Sequence, residues 1–196
     1  MRNRFLATAA VVTMAATVSG CMTTDEDGGG AMASTENTVM VGGAAMYPSR
    51  TIVENAVNSA DHTTLVAAVQ AAGLVETLSG PGPFTVFAPT NAAFEALPAG
   101  TVQTLLQPAN RGQLTSVLTY HVVSGRISAA DLVGRIRAGG GMARLTTVQG
   151  GTLTARLQGS NVVLTDARGG RATVTQADVF QSNGVIHVTN AVSLPG

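Results

Sequence analysis

Four side chains of this 196-residue chain are of the types that most often carry nucleophilic, acid–base or metal chemistry: Cys21 and three histidines. His62, His121 and His187 lie far apart, without the His-x-His or His-x-x-x-His spacing that pairs two metal ligands. A zinc site needs three or four ligands that converge on the ion. The spacing therefore predicts no metal site, although distant residues can still meet in a fold.

The carboxylates and serines also lack a catalytic arrangement. From residue 51 onward the 7 acidic residues are scattered, and no spacing forces two of them together. There is no Gly-x-Ser-x-Gly nucleophile elbow. The glycine run 139–141 precedes a predicted strand, whereas a phosphate cradle opens a helix. We predict a protein that is not an enzyme and has no cofactor; two titratable groups within hydrogen-bond reach in a cleft would contradict this.

Cys21 is the only cysteine, so no disulfide forms within one molecule. Before it come Arg2, Arg4 and an apolar run, 5–18, that is too short and too rich in alanine to span a bilayer. A charged start, an apolar middle and small residues at the end are typical of an export signal. Val18-Ser19-Gly20-Cys21 resembles the lipobox of bacterial lipoproteins, whose cysteine is acylated and becomes the new N-terminus.

The lipobox resemblance implies a signal peptide over residues 1–20 and lipidation at Cys21. The mature protein would then be anchored to a membrane by acyl chains, since two or more chains hold stably. Met22, rather than aspartate, follows the cysteine. In the lipoproteins of diderm bacteria this favours the outer membrane, so we expect the cell envelope, facing the periplasm or the surface. The alternative is an ordinary signal peptide with a chance cysteine.

Composition limits the partners. From Cys21 onward, 9 arginines face 11 acidic residues, and the chain has no lysine. This balance favours neither nucleic acid nor a basic membrane patch. Tryptophan is absent and aromatic residues make up 4%, so an aromatic platform for carbohydrate is not expected.

The chain divides into a tether and one domain. Residues 21–49 form the predicted tether, because 22–46 are rich in Gly, Ser, Thr, Ala and acids and show no periodicity. The VMVGGAAM stretch at 39–46 is the part expected to touch the domain. Residues 50–196 form the predicted domain, long enough to bury a single core.

Helical periodicity comes first within the domain and strand periodicity afterwards. Helices are predicted at 52–57, 63–72, 91–97 and 101–107, from 110 until a strand at Tyr120–Val123, and at 128–136. A buried strand is predicted at Phe84–Ala88. Five more strands are predicted near 143–148, 152–157, 162–165, 172–175 and 185–194, between Gly-Gly and Asn-Gly turns. Helices followed by antiparallel strands indicate an α+β fold.

Three segments carry a family resemblance. GPFTVFAPTNAAFEALP (Gly82–Pro98), LTYHVV (Leu118–Val123) and NGVIHVTNAVSLP (Asn183–Pro195) stand in the order and spacing of the signature segments of the fasciclin domain, also called FAS1. The resemblance covers about residues 50–195. It implies a wedge or sandwich of β-sheet with helices packed along one side.

The same resemblance implies candidate binding residues. In animal fasciclin proteins, a Tyr-His segment and an Asp-Ile segment are linked to integrin binding. Tyr120-His121 matches the first segment, and Asp178-Val179 resembles the second with valine for isoleucine. We expect Tyr120 and His121 to alternate across a strand, and Asp178 to lie between two strands. Asp178, Val179 and Phe180 are then a candidate exposed contact patch, with a loop acid capping a backbone N–H as the alternative for Asp178.

His187 and His62 are expected to be structural. Within a strand, His187 lies on the less apolar face, so we predict either partial exposure or burial with a hydrogen bond from its ring. His62 lies in SADHTT, and we predict a solvated residue at a helix start. The resemblance implies an adhesion module that binds envelope or extracellular proteins or polysaccharide. The alternative is an envelope protein that binds a small apolar molecule, which needs an apolar pocket of roughly 300 Å³ or more.

Overall fold

The structure, a computed structural model, describes residues 38–196. Its elements are β1 (Val39–Val41), β2 (Ala44–Met46), α1 (Ile52–Ala56), α2 (Thr63–Ala72), α3 (Val75–Ser79), β3 (Phe84–Pro89), α4 (Asn91–Glu95), α5 (Thr101–Leu105), α6 (Arg111–Tyr120), β4 (Val122–Ser124), α7 (Ala129–Ala138), β5 (Met142–Thr146), β6 (Thr152–Gln158), β7 (Asn161–Thr165), β8 (Arg171–Gln181) and β9 (Gly184–Thr189). Helices precede most of the sheet, which confirms the α+β class.

Seven of the strands form one mixed sheet in the order β4-β3-β9-β8-β7-β6-β5. One pair departs from the predicted antiparallel arrangement, because β3 and β9 run parallel with Phe87 opposite His187. Parallel neighbours need a long crossover, and here the chain between them holds most of the domain. The sheet curls until its two edges meet, since the Val148 N–H donates to the Val122 carbonyl at 2.7 Å.

Both faces of the central strands are buried, and each face belongs to a different core. The helix-side core lies between these strands and helices α1, α2, α4 and α6; its strand members are Val86, Ala88, Ile186 and Val188, and its helix members include Ile52, Leu65, Phe94 and Leu118. A strand that is apolar on both faces is typical of parallel pairing inside a fold.

The strand-side core lies between Phe87 of β3, helix α7 and the inner faces of β5 to β8. Its members include Tyr120, Leu132, Leu145, Leu153, Ala155 and Leu164. Helix α7 begins at a capping box, in which the Ser128 hydroxyl accepts from the Asp131 N–H and the Asp131 carboxylate accepts from the Ser128 N–H. Its Leu132 and Ile136, one turn apart, enter this core.

Residues that composition assigns to the tether form an ordered hairpin. Strands β1 and β2 meet at Gly42 and Gly43, whose φ angles of 56° and 76° lie in the left-handed region that favours glycine. Val41 and Met46 are buried in the helix-side core. The folded domain therefore includes residues from Val39 onward. No helix among residues 38–196 is long and apolar enough to cross a membrane.

Candidate functional site

Tyr120 is the last residue of helix α6, and the predicted strand at Tyr120–Val123 is wrong at this end, since β4 begins at Val122. The ring of Tyr120 is fully buried in the strand-side core. Its hydroxyl donates to the Thr152 carbonyl at 2.7 Å and accepts from the Ala167 N–H at 3.1 Å. Burial raises the pKa of this phenol. Tyr120 therefore joins α6 to the start of β6 and to the β7–β8 turn from the inside.

His121 caps the same helix and is also buried, at 3% exposure. Its Nδ1 donates to the Val117 carbonyl at 2.8 Å, and its Nε2 accepts from the Ser193 N–H at 2.9 Å. This pair of partners fixes the neutral ring with its proton on Nδ1. Burial lowers the pKa of His121. The ring thus ties the C-terminal segment to α6.

Asp178 lies inside strand β8, at an irregularity where the register with β9 shifts, so the predicted position between two strands is wrong. Its φ of 59° is the only positive φ of a non-glycine residue in the part of the chain that the structure describes. The Asp178 carboxylate accepts from the Ala129 N–H at 2.7 Å and so caps the start of helix α7. The capping alternative holds for this residue.

The apolar neighbours of Asp178 do not form the predicted exposed patch. Val179 is 1% exposed and belongs to the helix-side core. Phe180, which points the other way in the strand, is 39% exposed. Successive side chains of a strand face opposite sides, so the two cannot present one surface.

His187 is fully buried on β9, where its ring stacks on Phe87 with centroids 5.6 Å apart. Its Nε2 donates to the Ile127 carbonyl at 2.8 Å, and its Nδ1 accepts from the Asp178 N–H at 3.3 Å. Burial lowers the pKa of this ring. His187 is therefore neutral and joins β9, the β8 irregularity and the entry to α7.

His62 is 3% exposed, so its predicted solvation is wrong. Hairpin β1–β2 lies over this segment, and the Ala60 N–H donates to the Gly42 carbonyl. The Nδ1 of His62 lies 2.9 Å from the Ser59 hydroxyl, and burial lowers the pKa of the ring. Its Nε2 has no hydrogen-bond partner among the described residues. His62 also lines a cavity of about 30 Å³.

A second apolar cavity of about 40 Å³ adjoins the first, and the two share Ile52, Ala56, Leu65 and Val86 in their walls. Each holds at most a few waters, whereas pockets for small ligands measure roughly 300 Å³ or more. The apolar-ligand alternative gains no support from these cavities. Among residues 38–196, no three His, Cys, Asp or Glu side chains gather in a way that could hold a metal ion.

Asp166 is a structural residue that motif reasoning missed. Its carboxylate accepts from the N–H groups of Arg168 and Gly170 at 2.9 Å and 2.7 Å, which closes the β7–β8 turn. Its other oxygen accepts from the Leu194 N–H at 2.9 Å. An aspartate just before a Gly-Gly turn was the available signal, because aspartate commonly bonds the backbone of its own turn.

The exposed surface of β5 to β8 is the second feature that sequence reasoning missed. Cross-strand pairing places Arg144, Thr154, Thr165 and Arg171 in one row, and Met142, Arg156, Val163 and Thr173 in the next. We call the outer surface formed by these two rows the arginine face. A groove of about 410 Å³ lies over part of it and is lined by Thr154, Arg156, Leu157, Gln158, Val163, Thr165 and Arg171, without Arg144. Only the register, which the sequence does not give, aligns these side chains.

The predicted site residues do not converge. Tyr120 and His121 bond different segments, Asp178 caps a helix, Val179 is core, and Phe180 alone is exposed. Cys21 lies outside the described residues. The arrangement offers bonds that hold the fold together, and a polar, cationic outer face.

Comparison with known proteins identifies relatives. A model of the fasciclin domain matches residues 60–195. Protein sll1483 of Synechocystis sp. is 48% identical over 164 residues, which cover 84% of each chain. The cell surface glycolipoprotein MPB83 of Mycobacterium bovis is 34% identical over 122 residues, or 62% of this chain and 48% of that protein.

A solved structure has a similar fold. It is a FAS1 domain pair from the insect cell adhesion molecule fasciclin I, with a TM-score of 0.51 and 25% identity. The match covers 64% of this chain and 42% of that chain.

Proposed function

The chain belongs to the fasciclin domain family, and from that premise we propose that it is a non-catalytic binding module held to the bacterial cell envelope by a lipid on Cys21. The absence of catalysis is proposed because the signature side chains of the family are occupied by structural hydrogen bonds. Tyr120, His121 and His187 each bond two backbone groups inside the fold. No ring nitrogen or hydroxyl of these three is left for a substrate.

Contact with partners therefore falls to the outer surface. The fasciclin domain pair of known structure comes from a cell adhesion molecule, which supports an adhesion role here. Its partners are envelope or extracellular proteins or polysaccharide, and nucleic acid is not among them because charge is nearly balanced over the chain. Edges and faces of the curled sheet supply the contact area.

Anchoring by lipid is supported by the sequence around Cys21. Val18-Ser19-Gly20-Cys21 resembles a lipobox, and a relative is named a cell surface glycolipoprotein. Acyl chains hold a protein at a bilayer without a spanning helix, since each buried CH₂ contributes about 0.8 kcal/mol. We propose the outer membrane as the destination because Met22 follows the cysteine.

Metabolic labelling with an alkyne fatty acid tests the anchor. We expect the wild-type chain to incorporate the label and to sediment with outer membranes, and Cys21→Ser to lose both properties. Ser19→Ala is the matched control, because it keeps a small residue before the cysteine and should still be labelled. Labelling of Cys21→Ser at the wild-type level would contradict the proposal.

A further inference from the structure

The arginine face has the chemistry of a binding site for an acidic polymer. Arg144, Arg156 and Arg171 are exposed, and none of them bonds or pairs through its side chain with another residue that the structure describes. Between residues 142 and 177 the one acidic residue is Asp166. Its carboxylate is 9% exposed and already accepts from three backbone N–H groups. The face therefore carries positive charge without an internal counter-ion.

The register sets the length of a ligand that uses the whole face. Arg144 and Arg171 end one row, separated by three strand spacings, or about 14 Å between their backbones. A single phosphate or carboxylate bridges the two guanidinium groups only if both side chains lean over the threonines towards the middle of the row. An extended molecule with repeated negative groups contacts both without that, because each guanidinium offers a planar pair of donors that fits a carboxylate or sulfate.

The groups between the arginines favour a hydroxyl-rich partner. Thr154 and Thr165 form the middle of the row, and their hydroxyls both donate and accept. Gln158 adds an amide at the edge of the groove. Val163 points outward in the next row yet is 7% exposed, so its neighbours cover it. The groove therefore places hydroxyl and amide groups beside Arg156 and Arg171, with Leu157 and Val163 as its apolar part.

Protein and membrane partners fit this face less well. Protein interfaces depend on aromatic and large apolar anchors, and binding at a membrane surface requires apolar side chains that enter the headgroup region. The exposed large hydrophobic side chains of the described residues are Met40, Tyr47, Val57, Val148 and Phe180, and none belongs to the two rows.

We propose that the arginine face binds an acidic polysaccharide, one whose sugars carry carboxylate or sulfate groups beside free hydroxyls. This proposal names the class of partner for the binding module proposed above, and it rests on that proposed function. Recognition combines charge-assisted bonds from Arg144, Arg156 and Arg171 with hydroxyl bonds from the threonines. Affinity should fall with salt, because the charges are exposed and screened.

Calorimetric titration with alginate, a polymer of uronic acids, tests the site. The full chain carrying Cys21→Ser is used in a mild nonionic detergent, so that the result does not depend on lipidation. We expect binding to alginate at low salt and none to neutral dextran. Arg156→Gln combined with Arg171→Gln should weaken binding about tenfold or more, since two charge-assisted contacts are lost. Arg135→Gln combined with Arg137→Gln is the matched control on exposed positions of α7 and should bind like the parent.

Several results would overturn the proposal. These are alginate binding that survives the Arg156 and Arg171 changes, equal losses in the two double variants, or equal binding of dextran. Stronger binding to phosphatidylglycerol vesicles or to single-stranded DNA would assign the face to another class of partner. Dextran sulfate separates carboxylate from sulfate as the preferred group. Failure here leaves the fatty-acid labelling of Cys21 unaffected, so the two proposals fail separately.

Discussion

The helix-side core and the strand-side core differ in the cavities that border them. The helix-side core contains cavities of about 40 Å³ and 30 Å³ and the unpaired Nε2 of His62. Of the strand-side core, only Phe87 lines either cavity. Tyr120, Leu132, Leu153 and Leu164 are fully buried there, and the Tyr120 hydroxyl has both its bonds. Both of these cavities therefore lie against the helix-side core.

This difference bears on function. The arginine face is the outer surface of strands whose inner surface forms the filled core, so its side chains project from a rigid support. Preorganised sites are best built on such elements. The looser core carries the helices, which lie on the other side of the central strands.

Matched leucine-to-alanine substitutions should show the largest difference in stability between the two cores. Leu153→Ala in the strand-side core should lower the free energy of unfolding by about 4–5 kcal/mol, and Leu65→Ala by about 2–3 kcal/mol. Leu65 borders both cavities and so has fewer neighbours to lose. Urea unfolding with an unchanged m-value measures both, and equal losses would mean that the cores do not differ.

Acid should destabilise the domain through its histidines. The His121 and His187 rings each accept from a backbone N–H, so a protonated ring would point its own N–H at that backbone N–H. Burial lowers the pKa of all three histidines. The unfolded chain takes up protons below about pH 6.5 while the folded chain does not. Stability that is present above that pH is therefore lost as the pH falls towards the folded-state values, by up to about 1.4 kcal/mol per pH unit for each histidine.

Urea unfolding at pH 7.5, 6.5 and 5.5 measures this loss. His187→Gln should reduce the slope more than His62→Gln, because protonation of the His187 ring would place a proton against the Asp178 N–H, whereas no such donor lies against the Nε2 of His62. The lowered carboxylate pKa values of Glu54 and Asp131 act only below this window. An unchanged slope in both variants would remove His187 and His62 as the cause.

Added volume should give the smallest effect and opposite signs in the two cores. Val86 borders both cavities, so Val86→Ile should stabilise by about 0.8 kcal/mol, the contribution of one buried CH₂. Val123→Ile adds the same group to the filled core and should destabilise by about 1 kcal/mol or more. Thermal unfolding of the two variants is sufficient, and stabilisation by both would contradict the contrast.

Local signals predicted the elements well, because each depends on nearby residues. Ser128 and Asp131 mark the start of α7, and Asn183-Gly184 marks the β8–β9 turn. The helix ending at Tyr120 was misjudged, because the β-branched residues that follow extend the strand pattern backwards. Packing of the Tyr120 ring against distant strands outweighs that preference.

The sequence alone does not predict which distant residues pair. His62 is flanked by polar residues, and its burial depends on a hairpin whose Gly-rich composition is that of a linker. The alignment of Arg144 with Arg171 depends on three successive registers. A shift of one residue in any of them would turn the side chains inward.

The signature side chains Tyr120, His121 and His187 hold the fold, whereas we propose that the arginine face binds the partner. Unfolding and alginate titration of Tyr120→Phe, compared with the Arg156→Gln and Arg171→Gln double variant, separate these two roles. Tyr120→Phe leaves the Thr152 carbonyl and the Ala167 N–H unpaired, so it should lose about 1–3 kcal/mol of stability and keep its affinity. The arginine variant should keep its stability and lose affinity about tenfold or more. The reverse pattern, with Tyr120→Phe stable but unable to bind, would place binding at Tyr120 and not at the arginine face.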